Sequence, residues 1–433
     1  MFFDDTDYKL HPPITSTNHT NLVGIHWEIS SSCQASCPCC IRKASDGTLA
    51  KFTQTYTTKD QVVKILEGID SIQHVSFCGN IGDPMTNPDI YEISKFLREE
   101  KNTSSIKIHT NGGIGNPQRY YELGTLGVRM IFGVDGTAGI NELHRGQVDF
   151  EKVDRNAREY VRGLLENRKK HRLNSDAVFQ IQFILWDQNV HNLPAMIDWI
   201  NDVGADEIFV RRTYGYGIIP VYGNEGNYLS ALTWNNDTKY QHILEKVYHK
   251  TEFNKLLKEW NAIEGSNTPI PPVAKDFLKP QSDYVFNKNK IKFPMNAPYS
   301  PNEETISKMV ELKSKDVNCN AVYYDKGLLQ TYIYITYKHM VMPCCYIGSF
   351  YSSSIMGEIG SFHSYPESVN ATEAEVMNKL FEIGLDKFDA LKRPLKDILN
   401  DGTLDNLALT SVHTENKLSI CARYCAKRGS CNT

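Results

Sequence analysis

What the sequence lacks narrows its class before any motif is read. No apolar run is long enough to span a bilayer, so no membrane partner is expected. The opening residues Met1-Phe2-Phe3-Asp4-Asp5 lack the basic and apolar blocks of a secretory signal, and a cytoplasmic location is expected. Neither sign of charge dominates. Lys and Arg number 47 against 51 Asp and Glu, a net charge of −4, which gives no polyanion-binding surface and no expectation of a nucleic-acid partner. Internal repeats and low-complexity tracts are absent. With 41% apolar and 23% charged residues, disorder over most of the chain is excluded. The 433 residues leave room for two or three domains, or for one large domain with insertions.

Cysteine is what the sequence has in unusual number and placement. The count of 11 is odd, which argues against a closed disulfide framework. In a reducing compartment, clustered cysteines read as metal ligands or catalytic groups. Cys33, Cys37, Cys39 and Cys40 crowd one segment and Cys78 stands alone. Cys319, Cys344, Cys345, Cys421, Cys425 and Cys431 lie in the last part of the chain. Two thiol-rich sites are therefore separated by a long stretch poor in cysteine.

Between about 24 and 212 the pattern alternates. Strands are expected at Gly24–Ser30, Gln73–Cys78, Ser105–Thr110, Val128–Val134, Ala177–Trp186 and Asp206–Arg212. Helices are expected between them, one capped by Thr58 and running to Gly68, the others over Asp89–Glu100, Pro117–Leu126, Phe150–Lys170 and Val190–Val203. Six βα units in a row predict a parallel sheet, either an open barrel short of the usual eight or a doubly wound sheet. In both, ligands sit at the C-terminal ends of the strands. After Arg212 the rhythm breaks. Asp237–Trp260 reads as a helix, residues 264–305 as an insertion or linker, and Leu328–Tyr337 as a strand-like run in a compact region from about 311.

The residues after each strand carry the chemistry. Cys33-Gln34-Ala35-Ser36-Cys37-Pro38-Cys39-Cys40 follows the first strand, and the Cys33, Cys37, Cys40 spacing lets three thiolates hold three irons of a cubane cluster. A structural zinc knuckle is the alternative, with His26 or a distant cysteine as fourth ligand. Cys78-Gly79-Asn80-Ile81-Gly82-Asp83-Pro84 follows the second strand, and its glycines permit close approach of a ligand to the backbone. Thr110-Asn111-Gly112-Gly113 follows the third. Gly133-Val134-Asp135-Gly136 ends the fourth, with His144-Arg145-Gly146 beyond it. Each alone reads as turn chemistry; four successive strand ends of this kind do not.

In order and spacing these segments resemble the radical S-adenosylmethionine (radical SAM) superfamily across roughly 190 residues. The resemblance implies a partial (β/α)6 TIM-type barrel over 24–213. Cys33, Cys37 and Cys40 would hold a 4Fe–4S cluster, and its open iron would bind S-adenosylmethionine. Gly79, Asn80, Gly82, Asp83, Pro84, Thr110, Asn111, Asp135 and Arg145 are the implied cofactor contacts, with Arg145 resembling an arginine that reaches the methionine carboxylate. The second motif departs from the family's Gly-Gly-Glu-Pro, with Ile81 for the first glycine and Asp83 for the glutamate. Gly133 stands where the family often has a serine. Cys39 replaces the usual aromatic or apolar residue and is expected as a small filler beside the adenine.

Cys319, the Met342-Pro343-Cys344-Cys345 step and Cys421-x3-Cys425-x5-Cys431 look like the SPASM or twitch auxiliary-cluster domain, expected over 311–433. One auxiliary 4Fe–4S cluster is expected on Cys319, Cys344, Cys421 and Cys425, with structural zinc as the alternative. Lys338-His339 occupy a turn where the family has glycine. Residues 1–23 are expected as an N-terminal arm and 214–310 as an insertion that faces substrate. The resemblance implies an oxygen-sensitive enzyme with an external electron donor such as flavodoxin or ferredoxin. A peptide is the leading substrate class; a small metabolite or a nucleotide or sugar stands second. The rival class is a non-catalytic zinc- or cluster-binding interaction protein. Arg155–Arg172 is expected as a solvated basic face. Tyr214, Tyr216, Tyr222 and Tyr228 suit either a substrate mouth or a packed lid. His109 and Gln182 are expected as core hydrogen-bonders, and Cys78 as a small buried residue.

Overall fold

The computed structural model describes residues 20–37, 40, 42, 54–79, 81–171, 177–211, 218–222, 228–233, 240–264, 324–325, 328–329, 332–345, 347–348, 351, 367–404, 406–407, 418 and 421. Six strands alternate with helices: β1 (Asn21–Trp27), α1 (Lys59–Ile65), β2 (Ser71–Phe77), α2 (Ile90–Glu100), β3 (Ser105–Thr110), α3 (Pro117–Thr125) and β4 (Arg129–Gly133). There follow the single turn α4 (Asn141–His144), α5 (Phe150–His171), β5 (Phe179–Ile184), α6 (Leu193–Val203) and β6 (Glu207–Arg211). Local chemistry sets their ends. Thr58 and Gln61 form a capping box at α1, Asn116 caps α3 ahead of Pro117, and Gly204 closes α6 in the left-handed region.

Strands β1 to β6 pair in chain order and all in parallel. No step in that order reverses, so the sheet has no topological switch point. It is a singly wound partial barrel, and of the two architectures the alternation allowed, the open barrel is the one formed. Side-chain alternation divides its two faces. Phe132 of β4 packs edge-on to Tyr120 of α3, and Phe179 of β5 to Tyr160 of α5, so this face is the apolar one beneath the helices. The opposite face carries His26, Lys107, His109, Gln180 and Gln182 between those apolar positions.

The region after β6 departs from the expected helix over Asp237–Trp260. A short pair, β7 (Ile218–Tyr222) and β8 (Tyr228–Thr233), precedes it. Then β9 (Lys246–His249) adds an antiparallel edge to β6, and only from Phe253 does a helix, α7 (Phe253–Glu264), begin. Tyr248 is buried against the sheet while its neighbours Lys246 and His249 are exposed, a pattern of period two.

The strand-like run Leu328–Tyr337 divides. β10 (Tyr324–Asp325) and β11 (Leu328–Leu329) form a separate two-stranded ladder. β12 (Tyr332–Ile335) joins the outer edge of β1 in parallel, and β13 (Val341–Met342) turns back on it. The nine-stranded order is β13-β12-β1-β2-β3-β4-β5-β6-β9. His339 occupies the hairpin turn at φ 62°, the conformation a glycine adopts without strain, and its Nε2 lies 3.2 Å from Thr57 Oγ1. Glu28, fully buried, accepts the Tyr337 backbone N–H at 3.3 Å. Beyond the hairpin lie α8 (Glu367–Ile383) and α9 (Leu395–Asn400). Among the described residues no helix is long and apolar enough to cross a membrane.

Candidate active site

The chain leaves β1 into the cysteine loop. Ser36 N donates to Gly146 O at 2.7 Å, and Cys40 N to Cys37 O at 3.1 Å. Cys33, Cys37 and Cys40 are all half-buried and free of disulfides. Arg42, 2% exposed, lies against this loop and donates through Nε to Cys40 Sγ at 3.3 Å. Its Nη1 donates to Cys33 O at 2.9 Å and its Nη2 to Ala35 O at 2.5 Å. Burial and the nearby Asp83 carboxylate push the Cys33 thiol up to about 12, and burial likewise raises Cys37, which Arg145 pulls back down. Cationic iron, which takes the thiolate form, is what this loop lacks for its sulfurs to ionise.

The turn after β2 is pressed against the same loop. Asp83 N donates to Ser32 O at 2.7 Å. A Cβ on Gly82 would stand 2.1 Å from Ser30 O, so only glycine fits there. The Asp83 carboxylate is saturated by the protein. It accepts Met85 N at 3.0 Å, Thr110 Oγ1 at 3.0 Å, Asn111 N at 2.8 Å and Asn111 Nδ2 at 2.7 Å. Burial raises this carboxyl above its ordinary range, against those donors. Its side chain thus locks the β2 turn to the end of β3. Asn111 completes the link: Gln34 Nε2 donates to its Oδ1 at 2.8 Å, and its Nδ2 lies 3.5 Å from Cys33 Sγ.

The end of β4 supplies an anchored cation. Asp135 is fully buried, with Arg145 Nε donating to its Oδ2 at 2.6 Å and His144 Nδ1 2.5 Å from the same oxygen. Ile184 N donates to its Oδ1 at 2.8 Å. Burial opposes the charge, yet Arg145 and His144 outweigh it and hold the carboxyl down at about 2. Gly133 makes room for this arrangement: a Cβ there would lie 2.8 Å from Arg145 Nη2. The glycine in place of the family's serine is therefore what lets the guanidinium lie over the strand end.

Four strand ends thus converge, and Gly79, Gly82, Asp83, Pro84, Thr110, Asn111, Asp135 and Arg145 stand with the three cysteines at one edge of the sheet. Asn80 and Cys39 lie outside the described residues, as do Cys319, Cys425 and Cys431. Of the expected auxiliary ligands, Cys344 is half-buried and Cys421 buried. Arg212, Tyr214 and Tyr216 also fall outside, and the side chains of Tyr222 and Tyr228 with them. Arg211 is buried at the end of β6. The basic run on α5 is a solvated face with carboxylate partners: Arg158 pairs with Asp154 and Asp202, and Arg162 with Glu159. Cys78 is buried, with its Sγ 3.2 Å from His26 Nε2. His26 is occupied there rather than at the cysteine loop, and burial lowers it to about 3.

Among the described residues no three His, Cys, Asp or Glu side chains gather closely enough for a single metal ion. A tetrahedral zinc would draw its sulfurs to within ~4 Å of one another at Zn–S distances of ~2.3 Å, whereas a cubane spreads three thiolates over three irons. The donor set fits the cluster: three half-buried thiols, the guanidinium of Arg42 on one of them, and Arg145 close enough to act on Cys37. Arg42 and Gln34 escape a reading by motif. The one signal for Arg42 is a long cation two residues past the last ligand, which does not by itself reveal burial.

Comparison with known proteins agrees with this geometry. Residues 27–166, about a third of the chain, match the family model of the Radical SAM superfamily. An AdoMet-dependent heme synthase of Methanosarcina barkeri (strain Fusaro / DSM 804) is 24% identical over 247 residues, 56% of this chain and 62% of that protein. The chain therefore spans less than two thirds of that relative's length. Among solved structures, Streptococcus suis SuiB bound to S-adenosylmethionine aligns with a TM-score of 0.42 at 12% identity, covering 93% of this chain and 77% of that one. The anSMEcpe structure with bound AdoMet aligns at 0.37 and 14% identity, covering 82% and 86% or less of either chain, with 84% of its own length included. Cys33, Cys37 and Cys40 fall within the matched residues, and residues 27–166 are a segment of the radical SAM kind, whose family context is a 4Fe–4S cluster with S-adenosylmethionine.

Proposed function

We propose that the chain is a radical SAM enzyme that abstracts hydrogen from a peptide substrate and draws its electron from an external donor such as flavodoxin or ferredoxin. The observation that carries this reading is the convergence of three half-buried thiols with the β2, β3 and β4 ends, cross-tied through Asp83, Asn111 and Asp135. When bound, the cluster and S-adenosylmethionine supply one-electron cleavage of the sulfonium to methionine and a 5′-deoxyadenosyl radical. Cys33, Cys37 and Cys40 hold three irons. Arg145, fixed by Asp135, offers a cation to the methionine carboxylate as a charge-assisted contact. Gly79 and Gly82 present backbone to the methionine amino group, because the Asp83 carboxylate is already filled by protein donors. The buried strand ends and the hairpin β12–β13 keep water from the radical.

The peptide reading rests on the Pro343-Cys344-Cys345 step after a hairpin, which resembles SPASM or twitch domains, and on the polar inner face of the sheet, which suits a chain rich in amides. Cys319, Cys344, Cys421 and Cys425 would hold one auxiliary cluster. A small metabolite, or a nucleotide or sugar, is the second substrate class. The test is anaerobic reconstitution with iron and sulfide, then S-adenosylmethionine and dithionite, with 5′-deoxyadenosine measured. A brown protein that forms 5′-deoxyadenosine is expected. A colourless protein that carries zinc and leaves S-adenosylmethionine intact would overturn the reading.

A further inference from the structure

Arg42 is a buried cation in an unusual setting. Arginine is almost never fully buried unless paired. Here every printed contact of the guanidinium goes to the cysteine loop, and among the described residues its electrostatic partners are Cys40, Cys33 and Cys37 rather than a carboxylate. Three nitrogens donate to three points, Cys33 O, Ala35 O and Cys40 Sγ, so the planar fork spans the loop from its first ligand to its last. A lysine cannot span it: one ammonium reaches one region, whereas the guanidinium geometry is fixed in advance. Burial works against the charge, yet the thiols outweigh it and hold Arg42 above its ordinary value. The missing counter-charge appears only when the thiols become thiolates.

We propose that Arg42 is a positioning residue that pre-forms the cysteine loop and, through its contact with Cys40 Sγ, makes the loop's cluster easier to reduce. The inference rests on the proposed function above and concerns a residue outside the three-cysteine motif. Reduction adds one electron from the donor to the cluster and makes the site more negative, and a cation donating to a ligand sulfur stabilises that product. Removing the charge therefore lowers the reduction potential, while removing only the fork loosens the loop.

Two variants separate these effects. Arg42→Gln keeps a polar side chain without charge; Arg42→Lys keeps charge without the fork. Each is reconstituted anaerobically beside the parent, and three quantities are read: iron and sulfide per chain, the rate of iron loss to a chelator, and the midpoint of an electron-paramagnetic-resonance redox titration without S-adenosylmethionine. Arg42→Gln should titrate lower by a tenfold change in the reduction equilibrium, ~59 mV for one electron. Arg42→Lys should titrate within half that interval of the parent yet lose iron several-fold faster. An Arg42→Gln protein that loads fully and titrates at the parent's midpoint overturns the inference. Should Arg42→Gln fail to fold by circular dichroism, Arg42→Lys decides: iron loss at the parent's rate overturns it. A parent that binds no cluster overturns the proposed function itself, whereas a parent that cleaves S-adenosylmethionine beside an unaltered Arg42→Gln overturns only this inference.

Discussion

Asp135→Asn removes one oxygen's charge from the interior and tests whether Asp135 anchors the end of β4. The carboxylate is fully buried and serves Arg145, His144 and the Ile184 amide together. Its carboxyl is held from 3.8 down to about 2. At about 1.4 kcal/mol per pH unit, that depression corresponds to roughly 2.5 kcal/mol of folding stability. A second route agrees: losing a charge-assisted hydrogen bond from Arg145 costs about 1.5–3 kcal/mol. Because the folded value lies below the unfolded one, this stability is fully present above pH 4 and is lost as pH falls toward 2. The assay is urea unfolding of the metal-free protein at pH 8, where His144, itself lowered by burial, is neutral folded and unfolded alike. With a urea slope of about 2–3 kcal/mol per molar, the midpoint should fall by ~1 M. A midpoint within ~0.2 M of the parent, given that slope, would show that Asp135 is not the anchor described.

Replacing Cys33, Cys37 or Cys40 by Ala should remove one cluster's worth of iron and all S-adenosylmethionine cleavage, whereas Cys39→Ala should keep most of both; a dead Cys39→Ala refutes the ligand assignment. Arg145→Ala should weaken S-adenosylmethionine binding ten- to a hundredfold, about 1.4–2.7 kcal/mol, with iron unchanged. Gly133→Ala places a methyl 2.8 Å from Arg145 Nη2 and should reproduce part of that loss, about tenfold, in a binding titration. Truncation after Leu418 should lower iron by one cluster while sparing the barrel cluster; equal iron in both proteins refutes the auxiliary site.

Much of the barrel was legible because period-two apolar runs and capping residues are local signals. Strand β3 lies over Ser105–Thr110 as expected, and α3 starts at Pro117 behind its Asn116 cap. Strand β9 was not legible: Lys246–His249 is four residues, two of them charged or exposed, and it is a strand only because β6 offers an edge. The site divides along the same line. The cysteine spacing and strand-end polarity are visible in one dimension, and the matched segment contains them. That the Asp83 carboxylate is consumed by Met85, Thr110 and Asn111, and that Arg42 is enclosed by the loop, depends on which groups the fold brings together. The reason for Gly133 was likewise hidden, since the group that needs its space is twelve residues further on.

The pairing of β12 with β1 sets an order in time. Gly24 to Trp27 wait for Tyr332 to Ile335, and the residues between them number about 300. At ~5–20 residues per second, a ribosome takes roughly 15–60 s to make that stretch. Through that interval the outer hydrogen-bonding edge of β1 has no strand to meet it, and Glu28 has yet to receive the Tyr337 amide. Such an edge is a template for foreign strands. The cysteine loop, only a few residues beyond β1, is complete early, so iron delivery and edge protection fall within the same window of synthesis, and a nascent chain stalled before residue 332 should collect in aggregates rather than in the soluble fraction.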